Sequence, residues 1–453
     1  MSLLEVQQLT GGLLKGADVS FNAVSIDTRT LQAGELFIAI PGDRFNGNAF
    51  LKQAEVKNAA AAISTEPTEV ALPVLQVENS RLALGKLGAA NRNKSRAKVI
   101  AVTGSQGKTT VKEMTASILA CCGEVLKTMG NLNNDLGVPL TLLKLEEKHQ
   151  FAVIELGANA PGEIFYSSTL TMADVVHITN VAPTHLEGFG DLDGVARAKG
   201  EIWESLSADG VAVLNLDDAY GGQWMEKLNG KKFVSVSALG KSTANYRVVD
   251  LQFDAALHST FSVLTPQGSV AINLSLPGQH NVANALAAAA LGMEVGAGLN
   301  EIKQGLEAMQ SVSGRMCTLA GRQQSVLLDD SYNASPSSFR AAIDVLAAHQ
   351  GTKVIAMGDM GELGSEAEKA HREIALYAFS KGIDFLFAVG ELSEVAVKNF
   401  AGKSMHFADM DSLAEQILPM LNQDVKVLIK GSRSAGMDKL VQVLQQQVKQ
   451  KGD

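Results

Sequence analysis

The residues best spaced for chemistry are Gly104, Ser105, Gln106, Gly107, Lys108, Thr109 and Thr110. Glycines let a backbone turn sharply and approach a bulky anion, a lysine adds a compact positive charge, and the next hydroxyl can ligate a hard cation. The set fits the β- and γ-phosphates of a nucleoside triphosphate, with Mg²⁺ at Thr109. Only two residues separate Gly104 from Gly107, against four in the common phosphate loop, and the bland alternative is an ordinary strand-to-helix turn. Context favours the phosphate loop. Residues 99–103 form an apolar, mostly β-branched run that predicts a buried strand, and 108–120 predicts a helix. Such a turn gathers unpaired N–H groups at the positive end of the helix dipole.

Other candidates close predicted strands. Runs at 151–156, 174–179 and 211–214 read as buried strands, and open α/β sheets collect ligands at strand carboxyl ends. Glu155 closes the first, where a carboxylate needs a partner. Asn180 follows the second and leads into a stretch holding His185, Glu187 and Lys199. On spacing alone His185 reads as a surface-loop histidine and Lys199 as a solvated helix lysine. The amide-rich loop 131–139, with Asn133 and Asn134, is either turn chemistry or a substrate loop. Asn281 and Asn284 lie one turn apart on a predicted helix at 281–295, either capping its start or facing a base or ribose. Ser25, Asp27, Thr28, Arg29 and Asn48 read as turn formers of a small module.

The elements that must position these residues suggest roughly three domains in 453 residues. Residues 1–97 mix short strands and turns, including a strand at 36–40 and a turn at Pro41-Gly42-Asp43. A helix at 81–92 and the charged stretch "NRNKSRAK" mark the first boundary. Residues 98–312 alternate strand and helix, implying a largely parallel sheet, and 313–453 restart the alternation with strands at 325–328, 353–357, 385–389 and 425–429. Their carboxyl ends carry "DDSYNASPSS", "GDMGELG", "GEL" and "KGSRSAG", which together read as a binding edge. The fold class expected is α/β.

The net charge of −9 argues against nucleic-acid or anionic-membrane partners that bind by bulk charge. Cys121, Cys122 and Cys317 make neither a disulfide framework nor a zinc spacing, which fits a reducing compartment. There is no secretory pattern at the start and no apolar run long enough to span a bilayer. A soluble, cytoplasmic protein is expected, and with nothing demanding an oligomer, a monomer.

Eight motifs, "TGSQGKTT", "NLNNDLGVP", "IELGA", "NVAPTHLEGFG" with "AKGEI", "LPGQHNVANALAAAA", "SGR", "LLDDSYNASP" and "KGSRSAG", occur in an order that resembles the Mur ligases. These are ATP-dependent amide ligases that build the peptide stem of bacterial cell-wall precursors. Within the family, "DDSYNASPSS", "GDMGELG" and "NNDLGVP" look most like the member that joins D-alanyl-D-alanine to UDP-N-acetylmuramoyl-tripeptide, and the DNPR signature of the diaminopimelate-adding sibling is absent. A sibling ligase adding another amino acid is the near alternative, and a P-loop motor or switch the distant one.

The resemblance implies an N-terminal domain holding the UDP end, a central P-loop ATPase and a Rossmann-like C-terminal domain, with ATP between the latter two. It further implies transfer of the γ-phosphate to the tripeptide carboxylate, then attack of the dipeptide amine on the acyl phosphate. By motif match, Gly104 to Thr110 cradle phosphates, Thr109 and Glu155 serve one Mg²⁺, His185 a second metal, and Lys199 is a lysine many members carry as a carbamate. Asn281 and Asn284 match residues near the adenine, Arg315 a phosphate contact and Asp330 a ribose contact. Asn133 and Asn134 belong to a substrate-loop motif, while Tyr332, Asn333 and 430–433 are candidates for the dipeptide. Ser25, Asp27, Thr28, Arg29 and Asn48 fall in the uridine-binding region, Asn48 standing where relatives often have His.

Overall fold

The computed structural model describes residues 1–42, 45–228, 230–254 and 257–445. Asp43 of the expected Pro-Gly-Asp turn and the last eight residues, 446–453, lie outside them. Among the described residues three sheets follow one another along the chain.

The first sheet has five strands in the order Leu13–Lys15, Val74–Gln76, Ala61–Ser64, Leu36–Ile38, Val24–Ser25, parallel apart from the first. Its last helix, Ser80–Lys94, is capped by Asn79, whose Oδ1 accepts from the N–H groups of Arg81 and Leu82. The charged stretch expected to mark a boundary, residues 91–98, begins as the last turn of this helix and ends at the first residue of the strand Lys98–Thr103, and its helical part packs on elements of the central sheet. Asn91 donates to the carbonyls of Leu142 and Leu145, and Arg92 to those of Thr171 and Met172.

The central sheet has nine strands. Lys98–Thr103 lies between Phe151–Glu155 and Val175–Ile178, all parallel, and every residue from Val99 to Thr103 is buried. That explains the unbroken apolar run: both faces are covered. One face packs on the helices Lys108–Ala120, Gln279–Glu294 and Leu299–Glu307, whose buried Ala285–Ala290 stretch allows a close approach. The parallel pattern ends at Tyr246–Phe253, from which Ser259–Thr265 and Gly268–Leu274 continue as an antiparallel meander.

The third sheet has six strands, in the order Cys317–Ala320, Val326–Asp330, Val425–Lys430, Thr352–Gly358, Phe385–Val389, Lys403–Phe407. All neighbours are parallel except the first pair. Among the described residues no helix is long and apolar enough to cross a membrane.

Candidate active site

A cavity of about 290 Å³ opens between the carboxyl ends of the central and third sheets. Its floor is the phosphate loop. Gly104 has φ +136° and Gly107 φ +78°, and an added Cβ would come 2.0 Å from Thr179 Oγ1 at the first and 2.6 Å from Asn284 Oδ1 at the second. Both backbone conformation and crowding therefore require glycine. The loop is tied to the neighbouring strand: Ser105 N donates to Asn180 O (2.9 Å), Gln106 N to Asn180 Oδ1 (3.0 Å), and Thr179 Oγ1 to Gln106 O (2.5 Å). The helix that follows starts at Lys108 with no side-chain cap, so its first N–H groups face the cavity floor as an anion site.

Lys108 Nζ donates to the carbonyls of Gly104 (2.6 Å) and Ser105 (3.2 Å). Burial holds its pKa below the ordinary lysine value, Glu155 pulling it up and Arg315 pushing it further down. A cation stored this way is stabilised by an arriving polyanion. Thr109 Oγ1 donates to Glu155 Oε2 (2.9 Å), and Asn133 Nδ2 to Glu155 Oε1 (2.8 Å), so a hydroxyl and a carboxylate meet at the first turn. Glu155 is 2% exposed, and Lys112 Nζ stands 3.9 Å from its Oε2 while donating to Thr128 O (2.8 Å).

Lys199 corrects the reading from spacing: it is 1% exposed. Burial first, then the nearby Lys108 charge, bring its pKa down to about 7 against the opposing pull of Glu163 and Glu201. His185 has φ +52°, lines the cavity and places Nδ1 2.6 Å from Glu362 Oε2 on a loop of the third sheet. Among the described residues no three His, Cys, Asp or Glu side chains converge as a ready-made metal cage. The donors presented to a cation are Thr109 with Glu155, and His185 apart from them.

Ser105, Gln106, Gly107, Lys108, Thr110, His185, Asn281, Asn284, Arg315, Asp330, Tyr332 and Asn333 all line the cavity. The helix carrying the asparagines begins at Gln279, and their amides are not its caps. Asn281 donates to Pro277 O (2.8 Å) and Asn284 to Asn281 Oδ1 (3.1 Å), which presses Asn284 against Gly107. Arg315 lies over the Tyr332 ring at 4.3 Å. Asp330 Oδ2 accepts from Lys430 Nζ (2.5 Å), a pair with the lysine 2% exposed. Gln106 Nε2 crosses the cavity to Ser335 Oγ (2.7 Å) and also donates to Ser337 Oγ.

Other candidates sit elsewhere. Asn134 Oδ1 accepts from Gly137 N (2.9 Å), which is turn chemistry, whereas its neighbour Asn133 serves Glu155. The N-terminal set is on the first sheet and none of it lines the cavity. There Asp27 pairs with Arg29 (2.6 Å), Ser25 Oγ donates to Asp27 O (3.1 Å), and Thr28 Oγ1 to Gln53 Oε1 (2.7 Å). Asn48 joins two loops, donating to Asn46 Oδ1 and Thr65 Oγ1 and accepting from Ser64 Oγ, each at 2.9 Å.

Sequence reasoning missed Lys112, His177, His280 and Glu362. Lys112 lies one turn after Lys108, on the same helix face, which was a usable signal. His280 and Glu362 sit inside motifs already singled out. His177 gave none, because a histidine in a strand reads as filler.

Three family models match the chain: "Mur ligase family, catalytic domain" over residues 20–106, "Mur ligase middle domain" over 102–292, and "Mur ligase, glutamate ligase domain" over 314–433. The chain is 44% identical over 449 residues to the UDP-N-acetylmuramoyl-tripeptide–D-alanyl-D-alanine ligase of Escherichia coli, covering 98% of each chain. It is 40% identical over 454 residues to the ligase of the same name from Haemophilus influenzae, again covering 98% of each. The crystal structure of MurF from Acinetobacter baumannii superimposes with a TM-score of 0.91 at 35% identity, over 97% of this chain and 98% of that one. With phosphate loop, buried carboxylate and facing third sheet all in place, the chain belongs to the Mur ligase family.

Proposed function

We propose that this protein joins D-alanyl-D-alanine to UDP-N-acetylmuramoyl-tripeptide with conversion of ATP to ADP and phosphate, in the synthesis of peptidoglycan precursor. The observation that carries the reading is Lys108. Its ammonium is held by carbonyls in a loop that faces, across one cavity, the polar edge of a third sheet. A switch protein needs the loop, whereas a ligase also needs the facing edge to bring an amine to the reacting carboxylate.

A carboxylate is a poor electrophile, and phosphorylation gives it a leaving group. Lys108 and the first-turn N–H groups would hold the β- and γ-phosphates, with Arg315 facing them from the third sheet. As the P–O bond to ADP breaks, an O–P bond forms to the tripeptide carboxylate. The dipeptide amine then attacks the acyl carbon, phosphate leaves with the C–O bonding pair, and the nitrogen gives up one proton, which the departing phosphate can take. Asn281 and Asn284 would take the adenine side and Asp330 the ribose. The residues 25–29 and Asn48 would take the uridine end, and Tyr332, Asn333 and 430–433 the dipeptide.

The oxygen donors Thr109 and Glu155, 2.9 Å apart, suit a hard cation, and bound Mg²⁺ would supply positive charge to the phosphate oxygens. Lys199, largely neutral above pH 7, would take up CO₂ as a carbamate, adding a carboxylate-like donor near the Phe189 ring that His185 also meets. The three domains assigned to these roles are residues 1–97, 98–312 and 313–453. We further place the protein in the cytoplasm as a monomer, a reading supported by three unpaired cysteines and by nucleotide-dependent chemistry.

Phosphate release from Mg-ATP with UDP-N-acetylmuramoyl-tripeptide, with and without D-alanyl-D-alanine, tests the reading. Release that needs both, with a pentapeptide product, is expected. Stimulation by a different amino acid and a shorter precursor would assign a sibling activity, and turnover indifferent to every precursor would refute a ligase.

A further inference from the structure

We propose that Glu362 is the counter-charge that receives the α-ammonium of the incoming dipeptide, an inference that rests on the ligase reading above. Three fixed cations line the cavity, Lys108, Arg315 and Lys430, and an ammonium substrate entering it needs a carboxylate not already committed to one of them. The carboxylates lining it are Asp217, Asp330 and Glu362. Asp330 is committed to the buried Lys430. Asp217 accepts from Ser237 Oγ (2.7 Å) and Leu239 N (3.0 Å). Glu362 has a side chain 59% exposed and, among the described residues, one close partner, His185, whose Nδ1 stands 2.6 Å from its Oε2. A partly exposed contact of that kind is cheap to exchange for a cation, whereas the buried Asp330–Lys430 pair is costly to break.

The backbone supports the same conclusion. Glu362 has φ +62°, a conformation that glycine adopts freely and a glutamate resists. The loop is fixed on both sides of it. Met360 N donates to His371 Nε2 (3.0 Å), Ser432 N to Asp359 O (2.8 Å), and Met360 and Leu363 are buried. A rigid loop thus presents one strained carboxylate into the cavity, from the sheet whose loops face the acyl-transfer side. Strain retained at a cleft residue is a reason to look for a ligand.

The test uses full-length Glu362→Gln and Glu362→Gly in steady-state kinetics, with ATP and UDP-tripeptide saturating. The KM for D-alanyl-D-alanine is expected to rise roughly 10- to 100-fold in both, the range for losing a charged hydrogen bond. The KM for ATP should change less than about twofold on the same reasoning, and Glu362→Gly should melt no lower than wild type. An unchanged dipeptide KM, or KM values for ATP and dipeptide that rise together, would overturn the proposal, the latter because Glu362 would then act through His185. Wild-type phosphate release that ignores D-alanyl-D-alanine would overturn the ligase reading as well, which separates the two failures.

Discussion

His177 provides a test whose size follows from the structure. It sits in the central strand Val175–Ile178, is 1% exposed, and has Nδ1 2.8 Å from Val213 O. Burial outweighs that hydrogen bond and brings its pKa from 6.5 down to about 4. The folded protein therefore keeps the imidazole neutral while the unfolded chain takes a proton as pH falls through 6.5. Stability is complete above that value, declines below it, and stops declining near pH 4, where both states are protonated. Between pH 7.5 and pH 5 the loss from this residue is about 2 kcal/mol. In His177→Asn the amide Nδ2 can replace the ring donor to Val213 O without titrating, at a cost of roughly 2 kcal/mol in lost packing. Urea unfolding followed by tryptophan fluorescence suits the measurement, because the chain's two tryptophans, Trp203 and Trp224, both lie in the core of this central sheet. The variant should be clearly weaker at pH 7.5 and nearly equal to wild type at pH 5. A gap of the same size at both pH values would refute the claim that burial keeps His177 neutral.

The remaining expectations concern the cavity. Lys108→Met should cut ATP turnover by about 10²-fold or more while leaving the urea midpoint at or above wild type, since a desolvated charge is removed; retained turnover would remove the phosphate loop from the mechanism. Lys199→Ala should cripple turnover in a folded protein, and wild type depleted of bicarbonate should lose activity that bicarbonate restores; an unaltered rate in both would dismiss the carbamate. Gln106→Ala cuts the hydrogen bonds to Ser335 and Ser337, so small-angle scattering of the ligand-free protein should show a larger radius of gyration. An unchanged radius would mean these bonds do not hold the third sheet in place.

Most of the central frame was legible because parallel strands buried on both faces leave an unambiguous apolar run. The expected strand at 99–103 is Lys98–Thr103, and those at 385–389 and 425–429 are Phe385–Val389 and Val425–Lys430. The meander from Tyr246 to Leu274 escaped, since its strands alternate exposed and buried residues and carry no glycine-rich ligand loop to draw notice. At the site, local motifs announced Lys108 and Thr109 but not burial. Lys199 looked solvated because its apolar neighbours come from other elements, Phe189 among them, with the ring centre 5.2 Å from Nζ. Glu362 was hidden for a similar reason: its contact with His185 spans two sheets, which no spacing rule encodes.

The helix Ser80–Lys94 carries a further consequence. Besides the Asn91 and Arg92 bonds, Arg81 pairs with Asp135 at 2.7 Å, and Gly88 meets Pro139 so closely that an added Cβ would come within 2.8 Å of its Cα. The third sheet, by contrast, reaches the phosphate loop and its neighbour through the side chains of Gln106 and His185. The first two sheets are welded along a seam, and the third is latched. With the uridine end held on the first sheet, as proposed, the welded pair behaves as a ruler of set length. On that reading a peptide stem one residue short would leave its carboxylate away from Lys108, and rejection of immature precursors would follow from rigidity rather than from any contact with the missing residue.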